Sequence, residues 1–218
     1  VANGQKNHLS LGMYLIKTPF WLPLIYRSCA WRVPTKEKLL YLSFDDGPHP
    51  EATPFVLEQL AIFNAKASFF CIGKNVQLYP AIYAEIISAN HTVGNHTQNH
   101  MNGWENTTAA YLAEIQNAKS RIDSDLFRPP YGRISFDQIK ALRARPDLPQ
   151  NIVMWDVLSG DFDTSISGEK CAQNVIQNAT PGSIIVFHDS AKAMDRLKFA
   201  LPKVLLHFTN LGYQFKAL

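Results

Sequence analysis

Short apolar runs alternate with longer amphipathic stretches from residue 39 to the end of the chain. The short runs are rich in Leu, Ile, Val and Phe, which is typical of strands buried on both faces. The longer stretches repeat apolar residues at helical spacing, as in residues 53–64, where Thr53 is the predicted N-cap. The predicted strands are residues 39–47, 66–73, 91–96, 126–132, 151–159, 182–190 and 213–218. The predicted helices are residues 53–64, 77–90, 107–122, 135–145, 167–179 and 201–212.

Regular alternation of strands and helices restricts the folds that these elements can form. Seven predicted strands separated by six helices require parallel strands joined by right-handed crossovers, in either a barrel or an open sheet. A chain of 218 residues has the length of one domain, and no repeat or low-complexity linker divides it. We therefore expect a single α/β domain built on a parallel sheet.

Composition and charge exclude several classes of protein. With 46% apolar and 18% charged residues, the chain is neither disordered nor fibrous. The net charge of +3 comes without a dense Lys/Arg block, so nucleic acid is not an expected partner. The cysteines Cys29, Cys71 and Cys171 are odd in number and widely spaced, which argues against a disulfide framework and against a cysteine metal site.

The first 38 residues differ in pattern from the rest of the chain. Residues 13–31 are strongly apolar, but Lys17, Pro19 and Arg27 interrupt them before they reach the ~20 residues of a membrane span. No signal peptide is clear, so the sequence decides neither for the cytoplasm nor for export. We expect an N-terminal leader or extension, residues 1–38, followed by the main domain, residues 39–218, in a monomeric protein.

Polar residues cluster where the predicted strands end. Catalytic groups of parallel α/β folds gather at the C-terminal ends of the strands, so these clusters are the candidate site. Elsewhere the same strands are nearly all apolar. The clusters are Asp45 and Asp46; His96 and His100; Arg128 and Tyr131; Asp156, Asp161 and Asp163; and His188 and Asp189.

Two of these clusters together have the composition of a metal site. A spacing of four residues puts His96 and His100 on one side of a helical turn, as in sites that bind a divalent metal. Thr97 stands where the metalloprotease pattern has its Glu, so a general base must come from elsewhere.

The acids of "FDDGP" supply the carboxylates. Adjacent strand residues point to opposite faces, so Asp45 and Asp46 reach one site only where the chain turns, which Gly47 and Pro48 provide. One acid can then bind the metal while its neighbour stays free, and Arg128 is the candidate fixed positive charge beside them.

The segments "SFDDGPHP", "HTQNH", "RPPYG", "SGDFD" and "IIVFHDS", in this order, resemble the five motifs of the polysaccharide deacetylase family. This family includes chitin, chitooligosaccharide and peptidoglycan N-acetylglucosamine deacetylases. The resemblance runs from about residue 41 to the C-terminus. It implies a distorted parallel (β/α)7 barrel, which agrees with the seven strands counted from the pattern.

The resemblance also implies a role for each motif residue. It makes Asp45 the general base and His188 the general acid, with Asp161 as the partner of the His188 ring. Asp156 and Asp163 remain alternatives to Asp161. The other implied roles are Asp46, His96 and His100 as ligands of Zn²⁺, or of Co²⁺ or Ni²⁺; Arg128 as the residue that orients the base; Tyr131 as a backbone donor to the oxyanion; and Phe162 and Val186 as the lining of the acetyl pocket.

Two positions depart from the family pattern. Phe162 stands where many members have Trp, and Leu158 stands where an additional acid is common. Trp104 is either a sugar-stacking platform or a partly buried loop aromatic.

The implied function is that of a metal-dependent hydrolase of bacterial type. It removes N-acetyl or O-acetyl groups from polysaccharides or oligosaccharides that contain N-acetylglucosamine, so the expected partner is an acetylated glycan. The alternatives are a metal-dependent amidase on a non-sugar amide or imide, and an inactive carbohydrate-binding protein on the same fold.

Overall fold

The computed structural model describes residues 14–218, which form a distorted (β/α)7 barrel in a single domain. Every strand pair in the sheet is parallel, in the order β1-β6-β5-β4-β3-β2-β8-β7, and β9 pairs with the start of β2. The strands are β1 Cys29–Ala30, β2 Leu39–Asp45, β3 Ala67–Cys71, β4 Thr92–Asn95, β5 Leu126–Phe127, β6 Asn151–Val153, β7 Val157–Leu158, β8 Ile184–His188 and β9 Gln214–Phe215. The α-helices are α1 Leu22–Ile25, α2 Ala52–Ile62, α3 Gly73–Leu78, α4 Pro80–Ser88, α5 Thr108–Lys119, α6 Phe136–Arg143, α7 Gly168–Asn178 and α8 Met194–Asn210.

The central strands β2, β3 and β8 are buried almost completely, because side chains cover both faces of the sheet. Helices α2, α7 and α8 close one side of the core with residues such as Leu60, Val175 and Leu201. The register places Asp45 beside His188 on β8 and beside Phe70 on β3. Parallel register therefore brings the ends of these strands, and their polar residues, to one edge of the barrel.

The strand predicted at residues 151–159 is in fact two strands, so that prediction was wrong. β6 pairs with β5 and β1, whereas β7 pairs with β8 at the other end of the sheet order. Between them, the Met154 N–H donates to Ala30 O and the Asp156 N–H donates to Ile184 O. The chain changes hydrogen-bonding partner here because it crosses the seam where the two ends of the sheet meet.

Residues 14–38 pack against this seam. β1 adds to the edge of β6, and Lys17 forms an antiparallel bridge with Val157 of β7. The remainder of the predicted N-terminal extension, residues 1–13, lies outside the described residues. The division into an extension and a catalytic domain at residue 38 remains a prediction.

Three helices differ from prediction in where they begin or break. The helix predicted over residues 77–90 breaks at Tyr79, because a residue before proline is disfavoured in the helical region. The last helix begins at Met194 rather than at residue 201, and Pro202 lies inside it. Helix α2 has Glu51 as its N-cap instead of Thr53.

Membrane spans and cysteine pairing were also considered for the described part of the chain. No helix within residues 14–218 is long and apolar enough to cross a membrane. Cys29, Cys71 and Cys171 are all buried and free, as expected for cysteines that act as small apolar residues.

Candidate metal centre and active site

Asp46, His96 and His100 meet at the C-terminal edge of the barrel. One ligand atom from each lies within 4.8 Å of the others. The Nε2 atoms of His96 and His100 are 3.6 and 3.1 Å from Asp46 Oδ1. That oxygen is buried and no contact within residues 14–218 has the geometry of a hydrogen bond to it, although both imidazoles lie close and face it.

Asp46 reaches this point because the chain turns sharply after β2. Its φ is 78°, in the left-handed region that side chains rarely adopt outside tight turns and functional sites. A Cβ on Gly47 would lie 2.0 Å from Asp189 Oδ2, so only glycine fits between the turn and that carboxylate. Asp189 also accepts hydrogen bonds from the Gly47 N–H and the Thr53 hydroxyl.

The two histidines lie on a loop after β4, not on the helical turn that the spacing predicted. Thr97 and His100 both have positive φ, 64° and 58°. The Thr97 N–H donates to Asn95 Oδ1, and the Met101 N–H donates to Thr97 Oγ1. These local bonds replace a helical ladder, so the four-residue spacing brings the imidazoles together by a different geometry.

The environment of His96 prepares its Nε2 atom for a metal. Its Nδ1–H donates to Arg128 O at 2.7 Å, which leaves the lone pair on Nε2. Burial disfavours the imidazolium and lowers the pKa of His96 to about 4, so the ring is neutral at pH 7. For Asp46, burial opposes ionisation, but His100, His188 and His96 outweigh it and hold the carboxyl pKa well below its usual range.

Asp45 is held by a fully buried arginine. Arg128 Nη1 donates to Asp45 Oδ1 at 2.7 Å and to Ser43 Oγ at 2.8 Å. Its other nitrogens donate to the carbonyl oxygens of Val153 and Met154, and its guanidinium lies 4.0 Å from the Phe70 ring centroid. Burial lowers the pKa of Arg128, but the group stays charged at pH 7. Asp45 is therefore fixed beside Asp46 and outside the group of ligand atoms.

His188 lies across the cleft and pairs with Asp161. Its Nδ1 and backbone N–H both donate to the Asp161 carboxylate, each at 2.7 Å. Burial opposes protonation of His188, but the charge and hydrogen bond of Asp161 outweigh it, with help from Asp46 and Asp45, and raise the pKa to about 10. The structure places Asp156 and Asp163 elsewhere, against Lys17 and Tyr14.

The predicted pocket residues line the same cleft, whose volume is about 880 Å³. The Phe162 ring is 5.3 Å from the His188 ring, and Val186 and Leu158 are neighbours on β8 and β7. Tyr131 has φ 60° and packs edge-on against His100. Trp104 also lines the cleft, with 61% of its surface exposed.

Glu114 holds the loop after β4 that carries His96 and His100, and sequence reasoning did not find it. It is buried on α5 and accepts hydrogen bonds from the Asn99 N–H and Asn99 Nδ2, both at 2.8 Å. An acid on an otherwise ordinary amphipathic helix gives no signal of this contact. Asp189 was noticed beside His188, but the sequence alone indicated no role for it.

The donor set fits a divalent cation. Two imidazole nitrogens and one carboxylate oxygen form a facial set of the kind that binds Zn²⁺, with positions left for water and substrate. The buried Asp46 Oδ1 supports this fit: among residues 14–218 it accepts no hydrogen bond, and such an oxygen is costly unless it binds an ion.

Comparisons with known proteins agree with this geometry. The sequence profile of the family described as polysaccharide deacetylase matches residues 32–145. A peptidoglycan-N-acetylglucosamine deacetylase of Bacillus cereus is 32% identical over 191 residues, covering 85% of this chain and 88% of that protein. A chitooligosaccharide deacetylase of Azorhizobium caulinodans is 32% identical over 170 residues, covering 73% and 78%.

A solved structure agrees over almost the full length of the described chain. The crystal structure of a peptidoglycan N-acetylglucosamine deacetylase superposes with a TM-score of 0.83 at 30% sequence identity, covering 92% of this chain and 95% of that one. Sequence profile, full-length relatives and fold all lead to the same assignment. The chain belongs to the polysaccharide deacetylase family.

Proposed function

We propose that this protein is a metal-dependent deacetylase that removes N-acetyl groups from glycans containing N-acetylglucosamine. The observation that carries the proposal is the arrangement of two acids with different partners. Asp46 shares a point with two imidazoles, while Asp45 is held beside them by Arg128. One site therefore combines a metal-binding acid with a free carboxylate base, and His188 stands on the far side.

The ligands Asp46, His96 and His100 would hold the cation. Zn²⁺ fits this set best, and Co²⁺ and Ni²⁺ are compatible with it. When bound, a divalent cation would lower the pKa of a coordinated water to about 7 and polarise the acetyl carbonyl. The protein is proposed to work as a monomer.

Asp45 is the proposed general base. Its Oδ1 accepts a hydrogen bond from Arg128, so the carboxylate keeps one orientation beside a fixed positive charge. In this position it takes a proton from the attacking water. The Tyr131 N–H donates to the carbonyl oxygen as negative charge develops there, and such donors contribute most in sites that exclude water.

His188 is the proposed general acid. Its Nδ1–H is committed to Asp161, so the proton available to substrate is the one on Nε2. A sugar amine is a poor leaving group as an anion, and a proton from Nε2 lets it leave as a neutral amine. Phe162, Val186 and Leu158 supply an apolar surface beside His188 that suits the acetyl methyl group.

The test is acetate release from a panel of N-acetylglucosamine oligomers, chitin fragments and peptidoglycan fragments. We expect release from at least one of them, its loss after a chelator, and its recovery when zinc is returned. Hydrolysis of simple amides or cyclic imides without release of acetate from any glycan would favour an amidase instead. Glycan binding without any turnover would refute the catalytic proposal.

A further inference from the structure

Two acids of the segment "WDVLSGDFD" take no part in the pairing with His188, and both hold the N-terminal part of the chain. Asp156 is 3% exposed and accepts hydrogen bonds from Lys17, Arg32 and Ser183. Asp163 accepts a hydrogen bond from the Tyr14 hydroxyl at 2.7 Å. We call residues 14–31 the strap. It precedes residue 32, where the match to the family profile begins.

The strap covers the seam between β6 and β7. The Leu158 N–H donates to Ile16 O at 2.8 Å, and the Thr18 N–H donates to Asp156 O at 2.9 Å. Further along, β1 pairs with β6. The strap thus bonds to the strands on both sides of the seam, so its position is set by the barrel itself.

The inner side of the strap forms one wall of the active-site cleft. Leu15, Pro19, Leu22 and Tyr26 line the same cavity as the metal ligands and His188. The cavity of about 880 Å³ is near the upper end of the ~300–1,000 Å³ typical of ligand sites. It extends well beyond the pocket that an acetyl group needs.

Several polar side chains of the strap are already committed to the protein. The Thr18 hydroxyl donates to Trp155 O, and Trp31 Nε1 donates to Tyr26 O. Lys17 Nζ donates to Asp156 and to Asn178 O. Leu15, Pro19 and Leu22 therefore offer substrate an apolar surface, which suits the C–H faces of sugar rings.

We propose that the strap is a binding wall for the sugar units next to the one that reacts, and that Asp156 and Asp163 are positioning residues that hold it in place. The proposal rests on the proposed function, because it concerns the glycan of that same site. The ligand class is a chain of linked pyranose units. The wall would select longer glycans rather than a particular sugar, since apolar C–H faces are common to many sugars.

The first test compares two leucines of α1. Leu22 lines the cleft, whereas Leu24 does not and is 59% exposed. Initial rates and calorimetric binding are measured with the dimer and the pentamer of N-acetylglucosamine. We expect Leu22→Ser to lower the pentamer-to-dimer ratio of kcat/KM about fivefold through KM, as expected for loss of an apolar contact. Leu24→Ser should leave the ratio at the wild-type value.

The second test loosens the strap without touching the cleft. Lys17→Met keeps the aliphatic stem but removes one partner of Asp156, and Arg32 still pairs with that acid. We expect a higher KM for the pentamer with unchanged kcat and zinc content. An equal loss on both oligomers, or a change in kcat alone, would overturn the proposal, because a merely structural role has that signature.

The readouts separate this proposal from the proposed function. If wild-type protein binds the pentamer more tightly than Leu22→Ser does, yet releases no acetate, the strap proposal holds and the deacetylase proposal fails. If acetate is released and the two proteins bind and turn over both oligomers alike, the strap proposal fails alone.

Discussion

Replacing Asp161 by Asn tests how the protein keeps His188 protonated. Asp161 is fully buried and accepts two hydrogen bonds from His188, one from the ring and one from the backbone. An amide has the same shape but no charge, and one of its two ends is a donor that cannot accept either bond. The substitution therefore removes the main influence that raises the pKa of His188.

The magnitude follows from the charge-assisted bond. Such a bond contributes about 1.5–3 kcal/mol, which corresponds to about 1–2 pH units. The raised pKa means that His188 is protonated below about pH 10 and loses its proton as the pH rises. In Asp161→Asn we expect the alkaline limb of kcat/KM to move to lower pH by about 1–2 units.

The assay is acetate release between about pH 6 and about pH 10.5, at constant ionic strength, with zinc content measured for each protein. Asp195→Asn, an exposed acid near the start of α8, is the matched control and should keep the wild-type profile. An alkaline limb that stays in place in Asp161→Asn would refute this account of His188. A uniform drop at every pH would do the same, because it would point to misfolding or a wrong tautomer.

Three further predictions concern other parts of the site. Asp45→Asn should retain zinc but lose at least about two decades in kcat, as expected for a general base; near wild-type turnover would remove Asp45 from that role. His96→Ala should lose zinc on dialysis while His207→Ala keeps it, and elemental analysis decides. Arg128→Lys should lower the free energy of unfolding by about 1–3 kcal/mol, because one ammonium cannot replace four hydrogen bonds; an unchanged urea midpoint would contradict this.

The alternating α/β pattern was predictable because its signal is local, and the family resemblance implied its closure into a barrel. Each central strand is a short, almost continuous apolar run, and each helix repeats apolar residues at helical spacing, so neighbouring residues carry the information. The strand prediction fails where hydrogen bonding between distant segments determines the structure. Residues 151–159 look like one strand, but Ala30 and Ile184 accept hydrogen bonds from its N–H groups on the two sides of the seam.

At the candidate site, too, the residue types could be predicted from the sequence but their local geometry could not. The residue types at the strand ends were enough to indicate two imidazoles, a carboxylate ligand and a free acid. The spacing of His96 and His100 predicted the right pair with the wrong local geometry, because side-chain bonds from Asn95 and Thr97 shape the loop. Glu114 was missed, since its partner Asn99 is 15 residues away in the chain.

By itself, the sequence determined a parallel α/β fold and the set of polar residues at the ends of its strands. The tertiary structure alone decided that Asp156 and Asp163 hold the strap, and it brings Asp161, the partner that the resemblance implied, to His188. The reason is physical: hydrophobic periodicity acts between residues a few positions apart, whereas a side chain's role depends on partners that only the register of distant strands brings within hydrogen-bonding distance.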